Sequence, residues 1–388
     1  MNVAFCYESV LPYRGGCETY ISGLARRLAG DGHAVHLYAC RWDAQSLPGT
    51  LHYHRVSLPP CPRFLRPWVF GAACRRALRG ADHQVTVGFD KLSGLDVLYP
   101  QGGLYLATAE HNLLKYRSPL LRRLAGLLKK LDPAHQSFCA LERRQYRPGR
   151  TLVVAISDMV RRHFQYYYGL PADNLRLVRL AANADRFDER DRPRRRLEWR
   201  QQWGFAPQDV VALFAGINYR LKGLEPLLRA VARLPAPTPF RLLVAGGRET
   251  APFERLARRL GVADRVRFIG YCTDMRNCYF AADFFVHPTF YDPCSHVVLE
   301  AMACGLPVIT TRYNGASELM RPPREGDVID DPHDHARLAD CLARMLDPAR
   351  RSACAQAARR AAAGWTFEHH YRQMLAVFAE AAARKRAA

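Results

Sequence analysis

Apolar residues fall in short blocks along this chain, separated by glycine-bearing turns and amphipathic stretches. NVAFCY near the start is an almost continuous apolar run, which predicts a buried first strand. The turn RGGCETY follows, and over 18–29 Ile21, Leu24, Ala25 and Leu28 share one face at helical spacing. GDGHAVHLYAC reads as a turn and a second strand, so the order strand–loop–helix–strand implies a parallel βαβ unit. QVTVGF, LDVLYP, TLVVAIS and LRLV are further strands, and the charge-dense run DERDRPRRRLEWR at 188–200 reads as a linker. The same rhythm then restarts with VVALFAG, GLEPLLRAVARL, FRLLVAGG, FERLARRLGV, VRFIGY and ADFFVHP. The pattern predicts an α/β protein of two Rossmann-like domains facing a cleft, at 1–187 and 188–365. A helix at 366–388 with a basic tail is expected to pack back on the N-terminal domain.

Ligands of such sheets bind beyond the carboxyl ends of the strands, so chemistry is sought in the loops there. In FYDPCSHVVLEAMACGLPVITT, at 290–311, Val297, Val298, Ala301 and Met302 recur at helical spacing as an inward face. Gly305 suits a left-handed cap, Pro307 ends the helix and VITT is a strand. Glu300 in the helix is either part of a solvated face or a ligand contact. The free N–H groups at the helix start favour a phosphate, while Asp292 and Glu300 offer carboxylates to hydroxyls. Together they suit a ligand with both phosphate and sugar. In FAGINYRLKG, Gly216 ends a strand and is followed by Arg220 and Lys222, two cations suited to a diphosphate and equally at home in a solvated loop. Gly15 and Gly16 open a helix where backbone can approach an anion, or simply form a tight turn.

At 388 residues the chain exceeds one ordinary core and suits two domains. A net charge of +21 favours anionic partners: nucleic acid, a phosphorylated substrate or an acidic membrane surface. No RNP or zinc-finger pattern accompanies the charge, so nucleic acid is not expected. Twelve cysteines without CxxC pairs fit reduced thiols in a cytosol. The opening residues lack a signal-peptide pattern, no window has transmembrane length, and no HExxH or loop-borne DxD suggests a metal.

The order Asp292…Glu300 followed by AMACGLPVI resembles the acid–x7–acid motif of retaining GT-B glycosyltransferases of the family 4 type. GGCETYISGLARRLAGDGHAV, AGINYRLKG, LLVAGG, VRFIGY, ADFFVHPTFYDP and NGASEL carry the resemblance over nearly the whole chain. It implies the GT-B fold and retaining transfer of a hexose from a nucleotide sugar, UDP-glucose by family analogy, with no other cofactor and no metal. Lys222 and Arg220 would neutralise the departing diphosphate, Asp292 would hold the donor sugar and Glu300 the ribose. Ile269, Gly270 and Tyr271 would frame the base. Gly15, Gly16, Gly216, Asn218, Pro293, Cys294, Ser295, His296 and Val297 would complete the donor site. Gln101, Gly102, Gly103 and His111 would form the acceptor region.

The middle region GLDVLYPQGGLYLATAEHNLLKYRSPLLRRL is similar to that of lipopolysaccharide-core α-1,3-glucosyltransferases. There Lys115, Arg117, Arg122, Arg123, Lys129 and Lys130 alternate with Leu and Tyr, as in an amphipathic surface helix pair or a membrane-interface patch. This implies a glycolipid or phosphorylated sugar acceptor and a cytoplasmic protein, peripheral on an anionic inner-membrane face. Three departures stand out: Asp292 replaces the usual Glu, LAANADRF replaces an NGVDxxRF loop, and Gln101-Gly102-Gly103 stands where relatives carry His or Asp. Gln cannot act as a base. A nucleotide-sugar 2-epimerase shares the fold but fits AMACGLPVI less well, and a basic non-catalytic binding protein leaves the loop motifs unexplained.

Overall fold

The computed structural model describes all residues except 12–14, 46, 182–186, 188, 248 and 388. The chain divides into two compact units, one of residues 1–110, 118–179 and 368–388, the other of 111–117 and 180–367. In the first, seven described strands form one sheet: β1 (Asn2–Cys6), β2 (Ala34–Ala39), β3 (His52–Arg55), β4 (Val85–Gly88), β5 (Val97–Leu98), β6 (Leu152–Ala155) and β7 (Leu175–Leu177). They run parallel in the order β3-β2-β1-β4-β5-β6-β7. Val3 to Cys6 are fully buried, as a central parallel strand covered on both faces requires. β3 is among the strands that periodicity missed: HYHR sits at the sheet edge, where few side chains need to be apolar.

The last helix, Phe367–Arg386, belongs to this first unit. Its Met374 and Phe378 are fully buried, and the Phe378 ring lies 6.4 Å from that of Phe5 on β1. The His370 Nε2 and Tyr20 hydroxyl are 2.6 Å apart, and Glu380 pairs with Arg176 at 2.5 Å. The expected packing of this helix on the N-terminal sheet is present.

The second unit repeats the architecture with β8 (Val210–Gly216), β9 (Phe240–Gly246), β10 (Val266–Gly270), β11 (Phe284–His287), β12 (Val308–Thr311) and β13 (Gly326–Ile329). These are parallel in the order β10-β9-β8-β11-β12-β13. The order reverses between neighbours β8 and β11, which makes their carboxyl ends the topological switch point. The run at 188–200, read from sequence as linker, instead contains most of the helix Arg192–Gln202. Arg196 and Arg200 each reach Asp283 at 2.6 Å, and Arg195 reaches Asn277 at 2.5 Å. Its anchorage is ionic rather than apolar, so hydrophobic periodicity could not reveal it.

Candidate active site

The loops after β8 and β11 meet at the switch point of the second sheet. After Gly216 the chain makes a tight turn in which Asn218 Oδ1 accepts from the Leu221 amide at 3.1 Å and the Asn218 carbonyl accepts from the Lys222 amide at 2.9 Å. This folds Lys222 back over the strand end. A β-carbon at Gly216 would lie 3.0 Å from Lys222 Cγ, so glycine makes room for the lysine stem. The turn closes at Gly223, whose φ of +81° and close approach to the Pro288 carbonyl admit no side chain.

Lys222 Nζ lies 2.6 Å from Asp292 Oδ2, and His287 Nε2 lies 3.4 Å from the same oxygen. His287 is fully buried at the end of β11, its ring stacked 6.0 Å from Phe214 and 5.9 Å from Phe285. Burial, together with Lys222, keeps its pKa low despite Asp292, so the ring is neutral. Burial alone would push the Asp292 carboxyl up, but Lys222 and His287 outweigh it and hold it well below the usual carboxylate range. Asp292 Oδ1 has no hydrogen-bond partner among the described residues. Arg220, also expected at the diphosphate, is exposed and pairs with none of the described side chains.

The Asp292 loop is pinned by Asn314. The Asp292 amide donates to the Tyr313 carbonyl and its own carbonyl accepts from Gly315, both at 2.9 Å. Asn314 Oδ1 accepts from the Ser295 amide at 3.2 Å, and its Nδ2 donates to Thr310 Oγ1 at 3.0 Å. The helix His296–Ala303 therefore starts at a fixed point, and the Ser295 side chain does not cap it. Val298, Ala301 and Met302 are buried as expected. Val297, expected on that inward face, is only half-buried and shares the opposite side with His296 and Glu300. The Tyr279 hydroxyl donates to Glu300 Oε2 at 2.7 Å, and burial pushes the His296 imidazole down to about 4. Pro293 is half-buried and Cys294 buried beside them.

Ile269, Gly270 and Tyr271 lie at the end of β10, with Gly270 at a φ of +66° and Tyr271 59% exposed. His111 falls in the second unit, its ring 4.8 Å from Tyr291 and 5.5 Å from Tyr313, on either side of the Asp292 loop's anchor. The other acceptor-region residues and both early glycines belong to the first unit. Gln101 is 8% exposed, and neither atom of its amide has a partner among the described residues. Gly103 closes a turn onto the Pro100 carbonyl at 3.0 Å beside the exposed Gly102. Gly15 caps the helix Gly16–Gly30, and the Glu18 carboxylate fills the space a β-carbon there would take. In LAANADRF, residues 182–186 lie outside the described residues.

Sequence reasoning did not single out His287, Tyr279 or Asn314. A histidine closing the apolar run ADFFVHP and the asparagine of NGASEL were the available signals. Among the described residues no group of three or more His, Cys, Asp or Glu could hold a metal ion.

Residues 14–186 match the family described as Glycosyltransferase Family 4, and residues 195–361 match Glycosyl transferases group 1. The chain is 27% identical over 349 residues to the lipopolysaccharide glucosyltransferase WaaG of Escherichia coli, covering 89% of this chain and 90% of that protein. It is 32% identical to a probable transglycosylase of Burkholderia thailandensis, over 97% of each. A crystal structure of WaaG, a glycosyltransferase involved in lipopolysaccharide biosynthesis, superposes with a TM-score of 0.80 at 26% identity, covering 97% of this chain and 98% of that one.

Proposed function

The chain belongs to the family 4 glycosyltransferases of the GT-B fold, and on that premise we propose that it moves glucose from UDP-glucose, with retention, to a glycolipid acceptor of the lipopolysaccharide-core type. The observation that carries this reading is the Lys222–Asp292 pair at the switch point, beside a helix start fixed by Asn314. Lys222, oriented by Asp292, and the helix N-terminus offer positive charge where the departing diphosphate gathers negative charge. Arg220, exposed and paired with none of the described side chains, can swing onto the same phosphates. Asp292 Oδ1 remains open for a donor-sugar hydroxyl, and Glu300, anchored by Tyr279, faces the ribose. The C1–O bond to UDP breaks, a C1–O bond to the acceptor oxygen forms on the same face, and the acceptor proton passes to the leaving phosphate. That route requires no base at Gln101.

The helix Pro119–Leu131 supports a peripheral site of action on the cytoplasmic face of the inner membrane. None of its residues is buried, and Leu120, Leu124, Leu127 and Leu131 are between 52% and 75% exposed beside Arg122, Arg123, Lys129 and Lys130. A leucine face flanked by cations suits an anionic bilayer surface. No described helix is long and apolar enough to cross a membrane.

The test of the donor site is a thermal-shift series with UDP-, GDP- and ADP-glucose on wild type and Glu300→Ala. Stabilisation by UDP-glucose that the variant loses is expected. No response to any nucleotide sugar at millimolar concentration would sink the reading. For the membrane, Leu124→Ser/Leu127→Ser should lose co-sedimentation with anionic vesicles while keeping the donor response.

A further inference from the structure

His287 is the buried neighbour of the Lys222–Asp292 pair, and the binding of phosphate or sugar gives it no direct task. Its ring is enclosed at the end of β11 by Phe214 and Phe285, and a β-carbon at Gly216 would lie 4.0 Å from its Cε1. From β12 the Thr310 hydroxyl donates to the His287 carbonyl at 2.9 Å and brings no charge. Two acceptors face the ring. One is the Asp292 carboxylate, its Oδ2 3.4 Å from Nε2, and the other is the backbone carbonyl of Ala215 on β8. Neither ring nitrogen completes a hydrogen bond among the described residues.

Two acceptors suit a charged ring. A neutral imidazole carries one N–H and serves only one of them, whereas an imidazolium carries two and serves both. Burial and the Lys222 ammonium withhold the second proton in the free protein, against the pull of Asp292. Lys222 and Asp292 cancel one another at 2.6 Å, so a proton on the ring would add an uncompensated buried charge. A diphosphate arriving at Lys222 reverses that balance. Its two negative charges make the surroundings of the ring net negative, which favours the imidazolium. Protonated His287 can then hold Asp292 Oδ2 while Lys222 turns to the phosphates. His296, half-buried at the start of the following helix, answers to the same carboxylate and is the other histidine to distinguish from it.

We propose that His287 is a positioning residue that takes up a proton as the nucleotide sugar binds, and in that state fixes Asp292 for the donor sugar. The inference rests on the donor-site reading and adds to it a proton that enters with the substrate. That proton comes from solvent and returns there when UDP leaves, so it is separate from the acceptor proton that passes to the leaving phosphate. Linkage is reciprocal: a donor that draws a proton onto the protein binds more tightly as pH falls.

Calorimetry of UDP-glucose binding to the full chain, in HEPES and in Tris at pH 7, reads the proton directly, because UDP-glucose itself does not titrate there. The binding heats should differ between the buffers in the sense of uptake, and affinity should tighten severalfold from pH 8 to pH 6. His287→Asn keeps an N–H donor but cannot take the proton, so it should lose both the uptake and the pH dependence. A merely structural histidine would weaken binding and leave the pH slope in place. Uridine, which lacks the diphosphate, should show no uptake on wild type, a measurement that stands even where His287→Asn fails to fold. UDP-glucose binding without uptake, or uptake with uridine, overturns the proposal. Uptake that survives in His287→Asn overturns it too, by moving the proton to His296 or another group. If no nucleotide sugar binds at all, the donor-site reading falls and this proposal with it, whereas binding without a proton strikes this proposal alone.

Discussion

Removing the Lys222 ammonium should expose how the site holds its charge. At the observed 2.6 Å from Asp292 Oδ2, an effective dielectric of about 20 gives a gross attraction of about 6 kcal/mol. Desolvation of both groups cancels much of it. Lys222→Met nevertheless leaves the carboxylate buried without its cation, and such losses cost about 3 kcal/mol. The side chains are only 19% and 12% exposed, so solvent screens the pair weakly. His287, 3.4 Å away, can take over part of the lysine's role. Burial and Lys222 now oppose its protonation while Asp292 favours it, so losing Lys222 raises its pKa. A histidine pKa raised in the folded state adds stability at low pH and loses it as pH rises through that value. The penalty of Lys222→Met should therefore be larger at pH 8 than at pH 5.5. Urea unfolding followed through Trp199 and Trp203, both on the helix Arg192–Gln202 and its C-terminal cap, reads the second unit. Asp292→Asn in the same chain should recover about 2 kcal/mol relative to the sum of the single changes. Strict additivity, or a penalty flat with pH, would refute the account of a lysine-neutralised carboxylate backed by a neutral histidine.

Three further outcomes are expected. Tyr279→Phe removes the 2.7 Å bond to Glu300 and should weaken UDP-glucose by severalfold, about 1 kcal/mol, in calorimetry, with no change of nucleotide preference. Gly223→Ala would place its methyl group 2.0 Å from the Pro288 carbonyl at a φ of +81°. It should cost about 2–4 kcal/mol of stability and loosen donor binding, because Gly223 follows Lys222 directly. In the first unit His36 Nδ1 meets His54 Nε2 at 2.9 Å, with His52 and His83 against the same ring. Burial, then His83, His52 and His54, pushes His36 down to about 4, and His54 and His83 are lowered too. The unfolded chain binds these protons first, so stability is present above pH 6.5 and falls between 6.5 and 4, by about 1–2 kcal/mol after solvent screening. A melting profile in which His36→Asn does not flatten that fall would contradict this.

Strands such as VVALFAG and FRLLVAGG were legible in the sequence because they are buried on both faces and read as unbroken apolar runs. The helix at 296–303 was legible from its buried stripe, and its glycine and proline stops from local sterics. The edge strand HYHR and the arginine-anchored helix Arg192–Gln202 were not, since neither relies on apolar periodicity. The candidate site divides in the same way. Asp292, Glu300 and Lys222 stood out by residue type and motif. Only the tertiary structure brings Lys222 onto Asp292 across 70 positions, because β8 and β11 are neighbours in the sheet. The neutral His287 behind them, the Tyr279 hydroxyl on Glu300 and the ring of His111 beside Tyr291 likewise join segments distant in sequence. The leucine stripe of the helix Pro119–Leu131 would suit a buried helix equally well, and its exposure is decided by what packs beside it. Periodicity and turn chemistry act over a few residues and are written along the chain. Pairing, burial and the charge states that burial imposes depend on which distant segments become neighbours.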